Sequence, residues 1–230
     1  MTVQELNRRY IPAGQLDAES RGAFLAKTYL TLFGAIVAFT VLETVLFVSG
    51  LGYELAARLI SVNWLLVLGI FMVLSWMARR VAAGQSLAGQ YAGLGLYILA
   101  YSVIFTPMLA VASLSSPSVL MSAAVVTLVG FAALTAIVFV TRKDFSALRG
   151  FLAFGGILAL ILIVLSVFTG IELGPIFSVG MIALAGASIL HDTSRILNDY
   201  PADRYVSAAL ELFASVALLF WYVLRLFMRR

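Results

Sequence analysis

The sequence predicts an all-α integral membrane protein built as a bundle of seven transmembrane helices. Of its 230 residues, 63% are hydrophobic and only 11% are charged, and its mean hydropathy is +1.06. A soluble domain carries about 25% charged residues, so this composition excludes an ordinary soluble enzyme, a disordered regulator and a nucleic-acid-binding module. The apolar residues form continuous runs without alternation, which favours membrane-spanning helices over a closed barrel.

Seven apolar runs account for most of the chain, and each is read as one span of roughly 20 residues. They cover residues 28–50, 62–77, 91–112, 118–140, 151–169, 174–196 and 205–228. The first run exceeds the length of a signal-peptide core, so we expect the N-terminus to be retained. Residues 1–27 are then a polar N-terminal tail, and residues 28–230 form a single membrane domain.

The loop charges predict the orientation of the bundle. The tail and the loops after the second, fourth and sixth runs carry eleven Lys and Arg residues, whereas the other side carries four. The positive-inside rule therefore places the tail in the cytoplasm. Seven spans would put the C-terminus outside, although its arginines argue mildly against this, and one re-entrant segment would leave both ends in the cytoplasm.

Three acidic side chains interrupt the apolar runs, namely Glu43, Asp192 and Glu211. A charged side chain at the middle of a span costs about 2.5–3.5 kcal/mol, so such residues usually face the bundle interior and mark an ion or proton path. Glu43 lies past the middle of the first run, and an interfacial, hydrogen-bonded position is an equally good interpretation for it.

Asp192 and Glu211 are predicted to approach each other. A helical hairpin turning near residue 200 would bring Asp192 of the sixth run within about one turn of Glu211 of the seventh. Two carboxylates in a poorly hydrated site cannot both ionise easily, so they would titrate as a unit and act as a proton switch. Fully deprotonated, the pair would suit a hard cation such as Ca²⁺. The alternative is that Asp192 pairs with Arg195 or Arg204 while Glu211 faces water.

The remaining polar chemistry is sparse. The chain has no cysteine, which excludes disulfides and cysteine-ligated metals, and its single histidine excludes a polyhistidine site. That histidine, His191, precedes Asp192 and could tune the switch because histidine titrates near neutral pH, although an isolated histidine is more often packed or interfacial. Gly180, Ala183 and Ala187 recur on one face of the sixth run, and Gly155 and Gly156 lie in the fifth; these small residues predict close helix packing.

Two motifs and the last run carry a resemblance to a known family. Residues 141–146 read Thr-Arg-Lys-Asp-Phe-Ser, and residues 191–196 read His-Asp-Thr-Ser-Arg-Ile. In the last run, residues 209–213 read Ala-Leu-Glu-Leu-Phe, residues 218–220 read Leu-Leu-Phe and residues 224–225 read Leu-Arg. Together they resemble the Bax-inhibitor family of membrane proteins, and the Asp-Thr motif is most similar to that of the bacterial YccA-like branch. The similarity covers roughly residues 21–230.

The resemblance implies a bundle in the bacterial inner membrane whose last helix is central and is wrapped by the other six. It also implies a pH-sensitive Ca²⁺ leak, sensed and gated by two aspartates on the sixth and seventh helices. Asp192 matches the first aspartate, whereas Ser215 stands where the second would be. Glu211 lies four residues earlier on the same helix face and could replace it, or the carboxylate pair and the leak have been lost.

Two functional hypotheses follow. In the first, the protein is a pH-sensitive cation leak in which Ca²⁺ or H⁺ passes Asp192 and Glu211, with no cofactor and the lipid bilayer as its surroundings. In the second, which the resemblance also implies, it is a non-enzymatic modulator of a membrane-bound ATP-dependent protease or stress-response complex, contacted by the tail. Enzymatic activity is not expected, because His191 is the only histidine and no Gly-x-Ser-x-Gly elbow is present.

Overall fold

A computed structural model describes residues 11–115 and 117–229 of the protein, and the first ten residues of the predicted tail lie outside this part. After a short 3₁₀ turn at Ala13–Gln15, the described residues form the helices α1 (Ala18–Val48), α2 (Leu51–Ser61), α3 (Trp64–Ala82), α4 (Leu87–Ser115), α5 (Pro117–Thr141), α6 (Leu148–Thr169), α7 (Pro175–Asn198) and α8 (Tyr205–Phe227). All of them except α2 are long and apolar enough to cross a membrane. The predicted seven-span helical bundle is thereby confirmed.

The start of the first helix and an additional short helix are the main differences from the sequence-based expectation. The first helix begins at Ala18 rather than at residue 28, because the Asp17 carboxylate caps it by accepting a hydrogen bond from the Ser20 amide at 3.0 Å. Part of the predicted polar tail is therefore helical. Helix α2 was not predicted, since eleven residues are too few to span a bilayer. It follows a left-handed turn at Gly50, whose φ is +82°.

The last helix is the centre of the bundle, as the resemblance implies. In α8, 67% of the most apolar stretch is buried, against 6% in α6. Helix α8 packs against α1, α3, α4, α5 and α7. Its Phe213 ring lies 6.0 Å from Phe39 of α1 and 5.5 Å from Tyr101 of α4, measured between ring centroids. Aromatic contacts of this kind fasten the outer helices to the central one.

Small residues permit close packing at some of the positions considered and not at others. A Cβ on Gly93 would lie 2.6 Å from the Ala78 carbonyl oxygen, so α3 and α4 meet where only glycine fits. Gly155 likewise lies against Leu184 of α7. The expected close packing at Gly180 and Ala183 is wrong, because both residues are exposed and a Cβ on Gly180 would meet no atom within 4 Å. Small side chains do not by themselves distinguish a helix interface from a lipid-facing surface.

The end of the bundle that carries the α7–α8 connection is fastened by hydrogen bonds. Arg204 donates to the backbone carbonyls of Ala83 and Gly84, and Ser207 donates to that of Ala82 at 2.7 Å. The Ala13 amide donates to the Tyr200 carbonyl at 2.9 Å. The described segment before α1 and the end of α3 therefore both pack against the turn that positions α7 relative to α8.

Candidate functional site

Asp192 lies in the interface between α7 and the central helix. It is buried, as are Ser215 and its own neighbour His191. Ser188 precedes Asp192 by one helical turn, so both side chains share the face of α7 that meets α8. The Ser215 hydroxyl donates to Asp192 Oδ2 at 2.6 Å, and the Ser188 hydroxyl donates to the same oxygen at 3.4 Å. Because the two serine hydroxyls are also 2.9 Å apart, the three side chains form a closed polar triangle.

His191 completes this group on its other side. Its Nδ1 lies 3.2 Å from Asp192 Oδ1. Only 10% of the His191 side chain and 12% of the Asp192 side chain are exposed. One carboxylate oxygen therefore contacts the ring nitrogen and the other contacts the hydroxyls. The structure thus brings together three of the residues selected from the sequence: Asp192, His191 and Ser215.

Glu211 is held by different partners. Arg195 Nη1 donates to its Oε2 at 3.2 Å, and the Tyr200 hydroxyl donates to its Oε1 at 3.1 Å. Both carboxylate oxygens are occupied, and among the described residues no hydrogen bond joins Glu211 to Asp192. The shared carboxylate site considered from the sequence is therefore not assembled in this conformation.

The path of the connection explains this arrangement. The sequence predicts a turn near residue 200, and the connection between the end of α7 at Asn198 and the start of α8 at Tyr205 is centred close to that residue. The connection is not symmetric, however, and it offsets α8 along α7, so that Asp192 lies opposite Ser215 and Arg195 lies opposite Glu211. Four helical residues correspond to about 6 Å along the axis, which separates the two carboxylates by roughly one turn.

Tyr200, in the α7–α8 connection, is a further site residue that no sequence pattern predicts. Burial, followed by the charge of the neighbouring Glu211 carboxylate, raises the pKa of Tyr200 above its ordinary value. The phenol therefore stays neutral and remains a donor to Glu211 at any physiological pH. No local pattern marks this tyrosine, because its role depends on the fold of the connection.

The loop motif at residues 141–146 packs against the Asp-Thr motif. The Phe145 amide donates to the Ser194 hydroxyl at 3.1 Å. Asp144 shapes the loop by accepting from the Ser146 amide at 2.8 Å and from the Ser146 hydroxyl at 3.0 Å. These bonds to Ser146 lower the pKa of Asp144. The two motifs that carried the resemblance thus form one contact beside Asp192.

A metal ion at this site would need more ligand atoms than Asp192 and its neighbours provide. Within the described part of the chain, no three His, Cys, Asp or Glu residues come close enough to hold a metal ion. Asp192 offers one carboxylate with the hydroxyls of Ser188 and Ser215, whereas Ca²⁺ takes six to eight oxygen ligands. The group is better suited to exchanging a proton, or to a transient contact with a hydrated cation, than to permanent ligation.

Glu43 belongs to a different part of the molecule. It is buried in α1, and within the described part of the chain its carboxylate makes no hydrogen bond of ordinary geometry, with the Ser102 hydroxyl of α4 nearby. It lines a cavity formed with α4, α5 and α8 that does not include Asp192, His191 or Glu211. The structure therefore separates Glu43 from the other four residues selected from the sequence.

These features define a multi-pass helical membrane protein with a buried carboxylate between its last two spans. The model of the family described as inhibitor of apoptosis-promoting Bax1 matches residues 21–230. The chain belongs to this family, and the resemblance drawn from its motifs is confirmed.

The chain is also similar to an uncharacterized protein of Pseudomonas aeruginosa, with 34% identity over 113 residues. The aligned segment covers 48% of this chain and 50% of that protein. The chain thus spans about half the length of the curated relative that it matches.

Proposed function

We propose that this protein is a pH-sensitive cation leak of the bacterial inner membrane, with its N-terminus in the cytoplasm and Ca²⁺ as the principal ion. The observation that carries the proposal is the buried Asp192 carboxylate, held by hydroxyls from both α7 and the central helix α8. An acidic side chain buried within a membrane span is typical of an ion or proton path. Membership of the Bax-inhibitor family supports the same conclusion.

Protonation of Asp192 would alter the contact between α7 and α8. The Ser215 hydroxyl donates to Asp192 Oδ2 at 2.6 Å, and a hydroxyl bonds more strongly to an ionised carboxylate than to a neutral carboxyl group. When the carboxyl group is neutral, this charge-assisted bond is replaced by a weaker one. The balance between the packed and the separated arrangement of the two helices then depends on pH, and separation opens the route past Asp192.

Glu211 serves as the second carboxylate of this route. It is neutralised by Arg195 in the packed arrangement, so a cation reaches it only when that ion pair opens. Arg195 and an incoming cation therefore compete for one carboxylate. This function needs no cofactor and no enzymatic step, and the bilayer is its medium.

The leak is tested by reconstituting the purified protein in liposomes that enclose a Ca²⁺ dye and measuring influx between about pH 6 and pH 8. We expect pH-dependent influx in the wild type and its loss in Asp192→Asn. We expect Glu211→Gln to reduce influx. Influx no greater than in protein-free liposomes at every pH would contradict the proposal.

The serine at position 215 offers a matched pair of variants. Ser215→Asp introduces a second carboxylate beside Asp192, whereas Ser215→Asn has nearly the same size without the charge. If two carboxylates strengthen the proton switch, Ser215→Asp steepens the pH dependence of influx and Ser215→Asn does not. Identical pH profiles for the two variants would contradict a role for the Asp192–Ser215 contact in gating.

The alternative function is modulation of a membrane-bound protease or stress-response complex. The observation that favours it is the lack of a free carboxylate pair among the described site residues, because Ser215 is neutral and Glu211 is bound by Arg195. Deleting residues 1–10 separates the two functions while leaving the contact of Ala13 with Tyr200 intact. A leak survives this deletion, whereas a modulator that binds its partner through the tail loses activity.

A further inference from the structure

The cavity that Glu43 lines does not include Asp192, Ser188 or Ser215. It has a volume of about 510 Å³ and is lined by α1, α4, α5 and α8. Ligand pockets usually measure about 300–1,000 Å³, so this one can hold a small molecule. Its wall is mainly apolar and includes five phenylalanines, Phe39, Phe47, Phe105, Phe213 and Phe220.

Glu43 is the ionisable side chain among the described residues of this wall. It is 6% exposed, and among the described residues no hydrogen bond of ordinary geometry reaches its carboxylate oxygens, although the buried Ser102 hydroxyl of α4 lies near enough to interact with them. The hydroxyl of Thr127, which lines the same cavity from α5, is also buried and has no hydrogen-bond partner among the described residues. By contrast, the hydroxyls of Thr40 and Thr44 donate to backbone carbonyls of their own helix, at 2.9 and 2.7 Å. The free polar atoms of the cavity are therefore a carboxylate and one hydroxyl.

The chemistry of this wall selects among possible ligands. A buried acid without partners is unfavourable unless a proton or a cation compensates its charge. A bare divalent metal is a poor match, because it needs six or more oxygen ligands and the wall provides few. An organic ammonium ion needs only one or two acceptors for its N–H groups. Its apolar body packs on phenyl rings, whose faces also attract the positive charge.

We propose that this cavity binds a lipophilic organic ammonium ion, with the ammonium group on Glu43 and Thr127 and the apolar body among the phenylalanines. The site is distinct from the Asp192 group, and the proposal does not depend on a cation leak. Phe213 lies two residues from Ser215 on the central helix, so an occupied cavity contacts the helix that carries the Asp192 contact.

The probe for this site is dansylcadaverine, a fluorescent primary alkylamine, and its N-acetylated form is the neutral control. The protein is placed in phosphatidylcholine nanodiscs, and energy transfer from tryptophan to dansyl is titrated against protein-free nanodiscs. Trp221 suits this measurement because its ring lies 4.9 Å from that of Phe105, which lines the cavity. We expect saturable transfer with the amine and no saturable transfer with its acetylated form.

Three variants locate the probe. Glu43→Gln removes the charge and should weaken amine binding by about tenfold or more, the value of one charge-assisted hydrogen bond. Glu54→Gln makes the same change at an exposed position on α2 and should bind like the wild type. Ala124→Phe reduces the cavity volume while retaining Glu43, and it should also abolish saturable binding.

Two results would overturn the proposal. The first is equal affinity of the wild type and Glu43→Gln for the amine, or equal affinity of the wild type for the amine and its acetylated form. Either result would show that the cavity binds the probe through apolar contacts alone. The second is undiminished binding in Ala124→Phe, which would place the probe elsewhere. Thermal unfolding of each variant establishes that it is folded, and Glu43→Gln should be at least as stable as the wild type because it removes a buried charge.

Discussion

At the scale of single residues, Ser215 determines the charge of the site, because the family resemblance implies an aspartate at this position. Ser215 supplies a donor rather than a second negative charge, and Asp192 uses that donor at 2.6 Å. A hydrogen bond to a charged group contributes about 1.5–3 kcal/mol. Asp192 can therefore remain buried without a neighbouring cation, because hydroxyls and an imidazole satisfy its oxygens.

Replacing Ser215 by alanine should destabilise the protein by about 1–3 kcal/mol, because it leaves Asp192 Oδ2 with only the longer bond from Ser188. The measurement is thermal unfolding in detergent micelles. Ser122→Ala is the matched control, since this exposed hydroxyl bonds only to the Ser118 carbonyl of its own helix. Equal unfolding temperatures for the two variants would show that the Ser215 bond contributes no stability.

At the scale of helices, packing depends on a few positions where backbones approach closely. Gly93 is one of them, because a Cβ there would enter the backbone of α3 near Ala78. Gly95, two residues along the same helix, has no atom within 4 Å of the position a Cβ would take. The two glycines therefore differ in tertiary environment and not in helix propensity.

Gly93→Ala should destabilise the bundle by at least about 1–3 kcal/mol, the usual effect of overpacking a close contact. Gly95→Ala should be neutral or stabilising by about 0.5–1 kcal/mol, because alanine favours the helix. Thermal unfolding of both variants in the same detergent compares them. The close approach of α3 and α4 would be contradicted if Gly93→Ala were the more stable variant.

The start of α1 provides a pH-dependent prediction. The hydrogen bond from the Ser20 amide lowers the pKa of Asp17. A lowered pKa contributes stability above the ordinary value for aspartate, and this contribution is lost as the pH falls through the lowered value. Asp17→Asn caps the helix at every pH. The stability of the wild type relative to this variant should therefore decline as the pH falls below about 4.

Unfolding temperatures of the wild type and Asp17→Asn across this range provide the measurement. Other carboxylates titrate in both proteins, so only the difference between them reports on Asp17. A difference that is independent of pH would show that the Asp17 carboxylate does not cap α1.

At the scale of the whole molecule, the distribution of apolar side chains is that of a protein surrounded by lipid. Large apolar residues are widely exposed, among them Ile176 at 89% and Phe168 at 77%. In water such a surface would drive association. In a bilayer, such an apolar surface is the expected exterior. The central helix α8 is the buried partner of α1, α3, α4, α5 and α7.

The orientation of the bundle can be measured because the natural chain has no cysteine. Lys143→Cys and Glu172→Cys introduce single thiols in two exposed loops at opposite ends of α6. With the N-terminus in the cytoplasm, a membrane-impermeant maleimide should label position 172 in intact spheroplasts and position 143 only after lysis. The reverse pattern would invert the proposed topology.

Hydropathy and short motifs were enough to establish the membrane class, the seven spans and the family, because they are local properties that burial does not alter. The sequence also singles out Asp192, because an acid within an apolar run stands out without any knowledge of the fold, and His191 beside it, whereas Ser215 was selected through the family resemblance. The partners of these residues were decided by the tertiary structure. The α7–α8 connection sets the register that places Asp192 opposite Ser215 and gives Glu211 to Arg195 and Tyr200. The cavity around Glu43 likewise arises from four helices that meet only in the folded bundle.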